Sequence, residues 1–245
     1  MSRAPVEPCG IAVFARAPVA GEAKTRLVPF LGKEGAASLH AALVRRTLRN
    51  AVAAKIAKDE IVKDEIGQGE IKIGEVTLWC SPDATHPFFH SCRAEFGIGL
   101  REQAPGDLGE RMLAAFAARR GDLLLIGTDC PILTPGLLRR CAAQLRAGFD
   151  AVFLPAEDGG YGLVGLGRPI PALFEGVAWS SASVMEETRA RLRAHKLAWS
   201  EPAIIWDVDR PQDVERLVAS GLLPQWRKPD AVALPFSRIS PRRGE

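Results

Sequence analysis

The sequence is poor in several features that define whole classes of protein. Its five cysteines are odd in number and form no Cys-x-x-Cys pair, so neither a disulfide framework nor a zinc knuckle is expected. No apolar run approaches the roughly 18–20 residues that cross a bilayer. The N-terminus also lacks the long apolar segment of a signal peptide. We therefore expect a cytoplasmic protein with no membrane span.

The chain also carries little net charge. The net charge is +3, and residues 227–245, with five basic and two acidic side chains, account for all of it. The rest of the chain is about neutral, which argues against nucleic acid as a partner. Apolar residues make up 47% of the sequence, which is enough for one extensive core without covalent cross-links.

Two common nucleotide-binding motifs are missing. No Gly-x-Gly-x-x-Gly follows the first apolar segment, which disfavours a dinucleotide-binding oxidoreductase. The basic loop after that segment is not a P-loop, because Glu22 and Ala23 separate Gly21 from Lys24, whereas the P-loop joins glycine directly to lysine. Any nucleotide site must therefore be built in another way.

What the chain does contain is an uninterrupted apolar run, Leu123–Ile126, followed by Gly127, Asp129 and Pro131. A run with no polar alternation is typical of a strand buried on both faces of a parallel sheet. Ligands of open α/β sheets bind beyond the carboxyl ends of the strands. Asp129 is thus well placed to hold a divalent cation against phosphate oxygens. The alternative is that Asp129 only caps the helix predicted to begin near Pro135.

A first buried strand is predicted at Gly10–Ala15, and it runs into a loop, Arg16–Leu27, that is rich in glycine, proline and basic residues. Arg16, Lys24 and Arg26, together with the backbone amides of the turn, would suit a polyphosphate. The alternative is an ordinary solvated surface loop.

A second loop, Glu157–Gly162, contains Asp158, two glycines and Tyr161, the only tyrosine of the chain. Paired glycines let the backbone approach a ligand closely, and a nearby aspartate can accept hydrogen bonds from sugar hydroxyls. The alternative is a simple Asp-Gly turn between two strands.

Two carboxylates, Asp207 and Asp209, follow the segment Ala203–Trp206, which we interpret as the last strand. Alternation along an extended chain places both on the same side, where they would need a cation nearby. The alternative for Asp209 is that it caps the helix beginning at Pro211.

Strand candidates alternate with amphipathic segments along the whole chain, and no repeat divides it. This pattern predicts one doubly wound α/β domain with a mostly parallel sheet. We place the domain at residues 9–223 and a proline- and charge-rich surface arm at residues 224–245. Either Ser181 or Ser183 is expected to cap the last helix but one, and Glu186, three residues after Ser183, would complete a capping box.

Two further features have no assigned function. The charged near-repeat of residues 58–75 predicts a solvated excursion. The four histidines show no metal-ligand spacing and are interpreted as structural or exposed; they are His40, His86, His90 and His195.

Five short motifs occur in order between residues 10 and 217: Gly-x-x-Lys-Thr-Arg-Leu, Gly-Asp-Leu-Gly-x-Arg-Met, Ile-Gly-x-Asp-x-Pro, Asp-Gly-Gly-Tyr-x-Leu-x-Gly-Leu and Asp-Val-Asp-x-Pro-x-Asp. In this order they resemble an uncharacterised bacterial family of glycosyltransferase-A type, the radical-SAM/selenodomain-associated transferases, within the nucleotide-diphospho-sugar transferase superfamily. The resemblance implies a glycosyltransferase-A-type sheet and a Mg²⁺-dependent (or Mn²⁺-dependent) transferase. Its partners would be a nucleoside triphosphate or nucleotide sugar and a small-molecule acceptor.

The resemblance also implies roles for the matching residues. The nucleotide would be bound by Arg16, Gly21, Lys24, Thr25, Arg26 and Asp107, the metal by Asp129, Asp207 and Asp209, and the acceptor by Gly159, Gly160 and Tyr161. Two residues are the catalytic candidates. Lys24 would offset charge on the leaving phosphate, and Asp158 is the best candidate for a general base.

The reaction itself stays open at this point. Sugar-transferring relatives often carry Asp-x-Asp where this chain has Gly127, Thr128 and Asp129, which favours nucleotidyl transfer. The loop at residues 18–24, however, is poorer in glycine than the usual nucleotidyltransferase loop. The alternative of another class is a non-catalytic nucleotide-binding or partner module, which the clustered acids disfavour.

Overall fold

The structure is a computed structural model that describes residues 7–56, 71–179 and 181–227. Most of the predicted charged excursion, and the predicted surface arm from residue 228 onward, lie outside the described residues.

Seven strands and six α-helices alternate along the described chain. The strands are β1 (Cys9–Arg16), β2 (Ile73–Ser81), β3 (Gly99–Glu102), β4 (Leu123–Ile126), β5 (Ala151–Pro155), β6 (Tyr161–Leu166) and β7 (Trp199–Ser200). The helices are α1 (Val28–Ile56), α2 (Pro87–Phe96), α3 (Leu108–Ala117), α4 (Pro135–Arg146), α5 (Val184–Ala194) and α6 (Pro211–Ser220).

The strands form one sheet in the order β3-β2-β1-β4-β6-β5-β7. Only β6 opposes the others, because it pairs antiparallel with β4 and β5 while the remaining pairings are parallel. The chain first builds outward from β1 to β2 and β3, and then returns to the other side of β1 with β4. This reversal between β1 and β4 is the point at which open α/β sheets bind ligands.

Helices cover both faces of this sheet. Helices α1, α2 and α4 pack on one face, and α3 and α5 on the other. Strand β4 shows how the sequence produces this arrangement. Leu124 and Ile126 belong to the core beneath α1, α2 and α4, whereas Leu123 and Leu125 belong to the core beneath α3 and α5. All four are buried, which is why the run has no polar alternation. The predicted doubly wound, mostly parallel α/β fold is confirmed.

A third apolar cluster joins the first half of α1 to α6 and to Trp206. Trp226 is buried in this cluster, although it lies just beyond residue 223, where we expected the domain to end. The packed region therefore reaches at least to Trp226. The domain limits and the arm that follows remain predictions.

Helix α1 is the longest helix of the described ranges, with 29 residues, and it bends at Gly32, where φ is 73°. It begins before the predicted start at Lys33, because the turn formed by Thr25–Leu27 leads directly into it. Neither α1 nor any other helix in the described ranges combines the length and apolar character that a bilayer crossing requires.

The predicted last strand is wrong. Strand β7 lies earlier in the chain, and residues 203–206 contribute a single bridge at Ile205. Pro202 has no backbone N–H with which to extend the ladder. After Ile205 the chain turns toward Asp129, whose carbonyl accepts a hydrogen bond from the Val208 amide at 2.9 Å.

The predicted capping box of α5 is also wrong. Ser183 occupies the N-cap position, but its side chain makes no capping hydrogen bond. Its φ and ψ of −98° and −2° are close to helical, whereas a capping side chain needs an extended backbone. The Ser183 hydroxyl instead lies 3.0 Å from that of Ser181.

Candidate nucleotide and acceptor site

The candidate site residues gather at the carboxyl edge of the sheet, beside the reversal between β1 and β4. Two cavities open there, with volumes of about 320 Å³ and 460 Å³. We call the smaller one the loop cavity, because the loop after β1 forms much of its wall. We call the larger one the hairpin cavity, because the connection between β5 and β6 lines it. Asp129 and Arg26 line both cavities, so the two spaces meet at these side chains.

The loop cavity collects most of the predicted nucleotide-binding residues. It is lined by Arg16, Glu22, Ala23, Lys24, Thr25, Arg26, His40, Asp129 and Asp209. The basic loop is therefore more than a solvated surface connection, since three cationic side chains from eleven residues of sequence line one cavity. Gly21 is not among the lining residues, and its φ of 86° shows that it serves the turn.

Lys24 is the most constrained of these cations. Its side chain is only 4% exposed, and its Nζ lies 2.9 Å from Asp129 Oδ2. The same ammonium donates to the carbonyl of Val208 at 2.5 Å. The backbone of Lys24 is left-handed, with φ of 51°, a conformation that non-glycine residues rarely adopt. Lys24 thus ties together the loop after β1, the end of β4 and the segment before α6.

Asp129 does not cap α4. Thr134 does so instead, because its Oγ1 accepts from the Leu137 amide at 3.2 Å. Burial opposes ionisation of the Asp129 carboxyl, but the charge and the hydrogen bond of Lys24 outweigh it and hold its pKa below the usual value. Asp129 Oδ1 is buried and has no hydrogen-bond partner within the described ranges. An ionised carboxylate with one unpartnered buried oxygen fits a cation or a ligand hydrogen-bond donor.

Asp207 and Asp209 do not lie on the same side, contrary to our expectation from strand alternation. Asp209 lines the loop cavity and Asp207 the hairpin cavity, because this segment is not a continuous strand. The Asp209 carboxylate forms an ion pair with Arg26. It does not cap α6 either, since Asp213 accepts the amide hydrogen bonds of Asp209 and Arg210 at 3.1 Å and 2.7 Å.

The hairpin cavity is rich in carboxylates. Asp129, Asp158 and Asp207 all line it. Burial, followed by the negative charges of Asp158 and Asp129, raises the pKa of Asp207 to about 6. A bound cation would stabilise the charge of Asp207, which its two acidic neighbours disfavour.

The connection between β5 and β6 is a turn whose residues also reach the hairpin cavity. It is a hairpin turn, in which Asp158 Oδ1 accepts from the Gly160 amide at 2.9 Å. Asp158, Gly160 and Tyr161 nevertheless line the hairpin cavity. Gly159 does not line it and has a structural role instead. Its φ is +92°, and a Cβ at this position would lie 2.0 Å from the carbonyl oxygen of Ala182.

Asp107 and Cys130 have structural roles in this structure. Asp107 lines neither cavity and caps α3, since its Oδ1 accepts from the Glu110 amide at 2.9 Å. Its role in nucleotide binding therefore has no contact in this structure to support it. Cys130 lines the hairpin cavity but is 4% exposed, and burial raises the pKa of its thiol well above the ordinary value. It acts as a packing residue in the core beneath α1, α2 and α4.

Sequence reasoning missed His40. It lies on α1, is 6% exposed and lines the loop cavity. Its Nε2 lies 2.9 Å from the carbonyl of Arg16, so Nε2 carries the proton of the neutral ring and Nδ1 is an acceptor. Burial lowers the pKa of His40 despite the nearby Asp129. No motif marks this residue, since it reaches the site only through the packing of α1 on the sheet.

Trp179 was also missed. It lines the hairpin cavity beside Tyr161, and the two rings meet edge to face with centroids 6.5 Å apart. Aromatic walls of this kind are common in pockets for small molecules. The Tyr161 hydroxyl and Trp179 Nε1 are both buried without a hydrogen-bond partner in the part of the chain that the structure describes.

The residues present fit a divalent cation only together with a ligand. Within the described ranges, no three histidine, cysteine, aspartate or glutamate side chains converge closely enough to hold a metal ion by themselves. Mg²⁺ is, however, usually held by one or two carboxylates and completed by water and substrate phosphates. Asp129 and Asp207 can supply such a pair.

Part of the chain also matches a known protein family. Residues 68–181 match the model of a family described as an uncharacterized protein conserved in bacteria (DUF2064). The matched range includes Asp129 and Asp158 but neither Lys24 nor Asp207. No curated protein sequence matches the chain.

Among solved structures, a candidate nucleotide-diphospho-sugar transferase from Desulfovibrio desulfuricans G20 is 26% identical over 87% of each chain, with a TM-score of 0.71. The resemblance to the nucleotide-diphospho-sugar transferase-like family is confirmed. The same fold recurs in the inositol-1-phosphate CTP transferase of T. maritima, at 8% identity over 89% of this chain and 96% of that one, with a TM-score of 0.54. It also recurs in CMP:2-keto-3-deoxy-manno-octonic acid synthetase complexed with CTP, at 11% identity over 87% and 98%, with a TM-score of 0.51. At such identities the last two similarities concern the fold alone.

Proposed function

We propose that this protein is a transferase that uses a nucleotide donor, either a nucleoside triphosphate or a nucleotide sugar, and a divalent cation. One observation carries the proposal: a cavity with three basic side chains and a cavity with three carboxylates meet at Asp129, beside the sheet reversal where this fold binds ligands. A polyphosphate suits the first space, and the reacting group would then reach the second.

The loop cavity would hold the phosphates of the donor. Arg16, Lys24 and Arg26 supply positive charge, and Thr25 supplies a hydroxyl on the same wall. Guanidinium groups bind phosphate oxygens with paired hydrogen bonds. These fixed charges would stabilise the charge that develops on the leaving phosphate, which is the main demand of phosphoryl and glycosyl transfer.

Asp129 and Asp207 would hold the cation between the two cavities. The unpartnered Asp129 Oδ1 supports this role, and a bound Mg²⁺ or Mn²⁺ would supply charge neutralisation on the phosphates. Asp209, which we also predicted to be a metal ligand, is paired with Arg26 and is not part of this proposal.

The hairpin cavity would receive the acceptor. Gly160 and Tyr161 line it together with Trp179. Asp158 lies on its wall with its charge beside those of Asp129 and Asp207, and it remains our candidate for the base that takes a proton from the acceptor. The neighbouring Gly159 would keep the hairpin in place from outside the cavity.

A thermal-shift panel tests the proposal, because a ligand that binds only the folded state raises the melting temperature. Nucleoside triphosphates and nucleotide sugars are tested with and without Mg²⁺, and donors that bind are then incubated with candidate acceptors. Pyrophosphate release would identify nucleotidyl transfer, and nucleoside diphosphate release glycosyl transfer.

Matched variants show whether the proposed site is responsible. Asp129→Asn should remove the Mg²⁺-dependent shift, while Glu175→Gln, an exposed carboxylate outside both cavities, should keep it. Binding without turnover over a broad acceptor panel would favour the non-catalytic module instead. No Mg²⁺-dependent shift with any nucleotide would contradict the proposal.

A further inference from the structure

We propose that Lys24 is a built-in counter-cation for Asp129, which competes with the divalent cation until a nucleotide draws the lysine away. This inference rests on the proposed function, since it concerns the same donor site. It predicts that the metal and the nucleotide bind well only together.

The inference starts from a conflict between two roles. As a phosphate ligand, Lys24 should present its ammonium to the loop cavity. In this structure that ammonium is instead committed to Asp129 Oδ2 at 2.9 Å and to the Val208 carbonyl at 2.5 Å. With its side chain 4% exposed, Lys24 has little access to a third partner. A phosphate can gain a full contact only if Lys24 loosens its hold on Asp129.

Asp129 is the point of competition. Its carboxylate already has one positive charge in contact, and this charge of Lys24 favours its ionised form. A divalent cation that approaches the same small carboxylate would be repelled by the ammonium at hydrogen-bond distance. Free metal should therefore bind weakly as long as Lys24 stays in place.

The structure allows the side chain, rather than the backbone, to make the exchange. The carbonyl of Lys24 accepts a hydrogen bond from the Leu27 amide at 2.8 Å, which holds the left-handed turn. The ammonium, by contrast, ends a flexible four-carbon stem. Arg16 and Arg26 line the same cavity, so a polyphosphate bound there would offer Lys24 an alternative anion a short distance away.

Thermodynamic linkage turns this exchange into a measurable quantity. A nucleotide that removes Lys24 from Asp129 raises the affinity for the cation, and the cation must raise the affinity for the nucleotide by the same factor. Coupling through bound phosphate oxygens would exist in any such enzyme. The distinguishing feature here is the effect of Lys24 on the metal when no nucleotide is present.

The test is a titration of the full chain with MnCl₂ alone, with free Mn²⁺ followed by electron paramagnetic resonance. Lys24→Met should bind Mn²⁺ about tenfold more tightly than the unmodified protein, which lies within the usual range of coupling factors. Asp129→Asn combined with Lys24→Met should lose the gain. Arg216→Met, which removes a cation paired with Glu157 outside both cavities, serves as the matched control and should show little gain.

A second titration includes the nucleotide that gives the largest thermal shift. The ratio of Mn²⁺ affinities with and without this nucleotide should fall about tenfold in Lys24→Met, because the metal site is already free. If Lys24→Met does not fold by circular dichroism, Lys24→Gln replaces it in both titrations.

Unchanged or weaker Mn²⁺ binding by the nucleotide-free lysine variant would overturn the inference and leave Lys24 as a phosphate ligand only. This outcome is distinct from failure of the proposed function, in which no nucleotide binds the unmodified protein under any condition. A gain in Mn²⁺ affinity without any nucleotide binding would support the counter-cation and contradict the transferase.

Discussion

The two cavities treat charge in opposite ways. In the loop cavity Lys24 contacts Asp129 and Arg26 contacts Asp209, so each of these acids faces a cation at close range. In the hairpin cavity, Asp158 and Asp207 have no such ion pair within the described ranges, and the pKa of Asp207 is raised by burial and by its acidic neighbours. One side is therefore neutralised before any ligand arrives, while the other keeps a charge imbalance for a ligand to resolve. Such local imbalance is characteristic of functional sites.

Replacing Asp129 should have the largest effect, because this side chain belongs to both cavities. Asp129→Asn keeps the shape but removes the charge that would hold the cation. Mg²⁺-dependent nucleotide affinity should fall at least about 100-fold, since even indirect changes at metal sites cost 10- to 100-fold. Isothermal titration of the nucleotide with and without Mg²⁺ measures this. An affinity within about threefold of the unmodified protein, a difference well below that range, would remove Asp129 from the site.

The hairpin that lines the larger cavity can be destabilised without changing a charged residue. Gly159→Ala places a Cβ 2.0 Å from the Ala182 carbonyl oxygen at a φ of +92°. The free energy of unfolding should fall by about 2–4 kcal/mol, from strain and overpacking together. Urea unfolding followed by tryptophan fluorescence measures it.

Gly176→Ala is the matched control for that change. Gly176 also has a positive φ, +65°, but nothing lies within 4 Å of the position that a Cβ would take there, so only a backbone cost of about 1 kcal/mol is expected. Equal losses in the two variants would show that the hairpin is not clamped against Ala182.

Removing Arg26 should weaken the loop cavity more modestly. Arg26→Met deletes one of three lining cations, and nucleotide affinity should fall about tenfold, as for the loss of one charge-assisted contact. Arg216→Met is a suitable control, because Arg216 pairs with Glu157 at 2.7 Å outside both cavities. If both variants bind nucleotide equally, the donor does not occupy the loop cavity.

The smallest expected effect is on the pH dependence of stability, to which Asp207 in the hairpin cavity contributes. Folding raises the pKa of Asp207 from 3.8 to about 6, so the folded protein favours the protonated carboxyl. The free energy of unfolding should therefore fall as pH rises through about 4 to 6. In the absence of metal, Asp207→Asn should be more stable than the unmodified protein at about pH 7.5, by about 1–2 kcal/mol, and should lose part of this pH dependence.

Urea unfolding without divalent cations, at about pH 4 and about pH 7.5 on either side of the titration, checks that prediction. Glu175→Gln provides the exposed-carboxylate control and should leave both values unchanged. A destabilised Asp207→Asn variant at the higher pH would show that the Asp207 charge is favourable in the fold and that the hairpin cavity carries no imbalance.

Much of the fold followed from local patterns. The uninterrupted run of β4 predicted a doubly buried central strand, and its residues do divide between the two cores. The cap of α3 at Asp107 is also a local feature, because its capping box joins residues only three positions apart. Local sequence patterns gave wrong predictions where a contact with a residue distant in sequence determines the structure. The hydrogen bond from the Val208 amide to the Asp129 carbonyl directs the chain away from the sheet, so residues 203–206 contribute only the bridge at Ile205.

The site shows the same division. The sequence by itself determined which residue types follow each strand, and so it marked the basic loop, Asp129, the hairpin and the Asp207–Asp209 pair. Each of these features consists of residues close together in the chain, and the strand ends of one parallel sheet share an edge.

Only the tertiary structure decided how those groups pair. It separated Asp207 from Asp209, directed Lys24 onto Asp129, and brought His40 and Trp179 into the two cavities. Each of these outcomes depends on the angle at which a helix or loop packs over the sheet. That angle is set by contacts between residues far apart in sequence, for example the 184 positions between Lys24 and Val208, and no local periodicity encodes it.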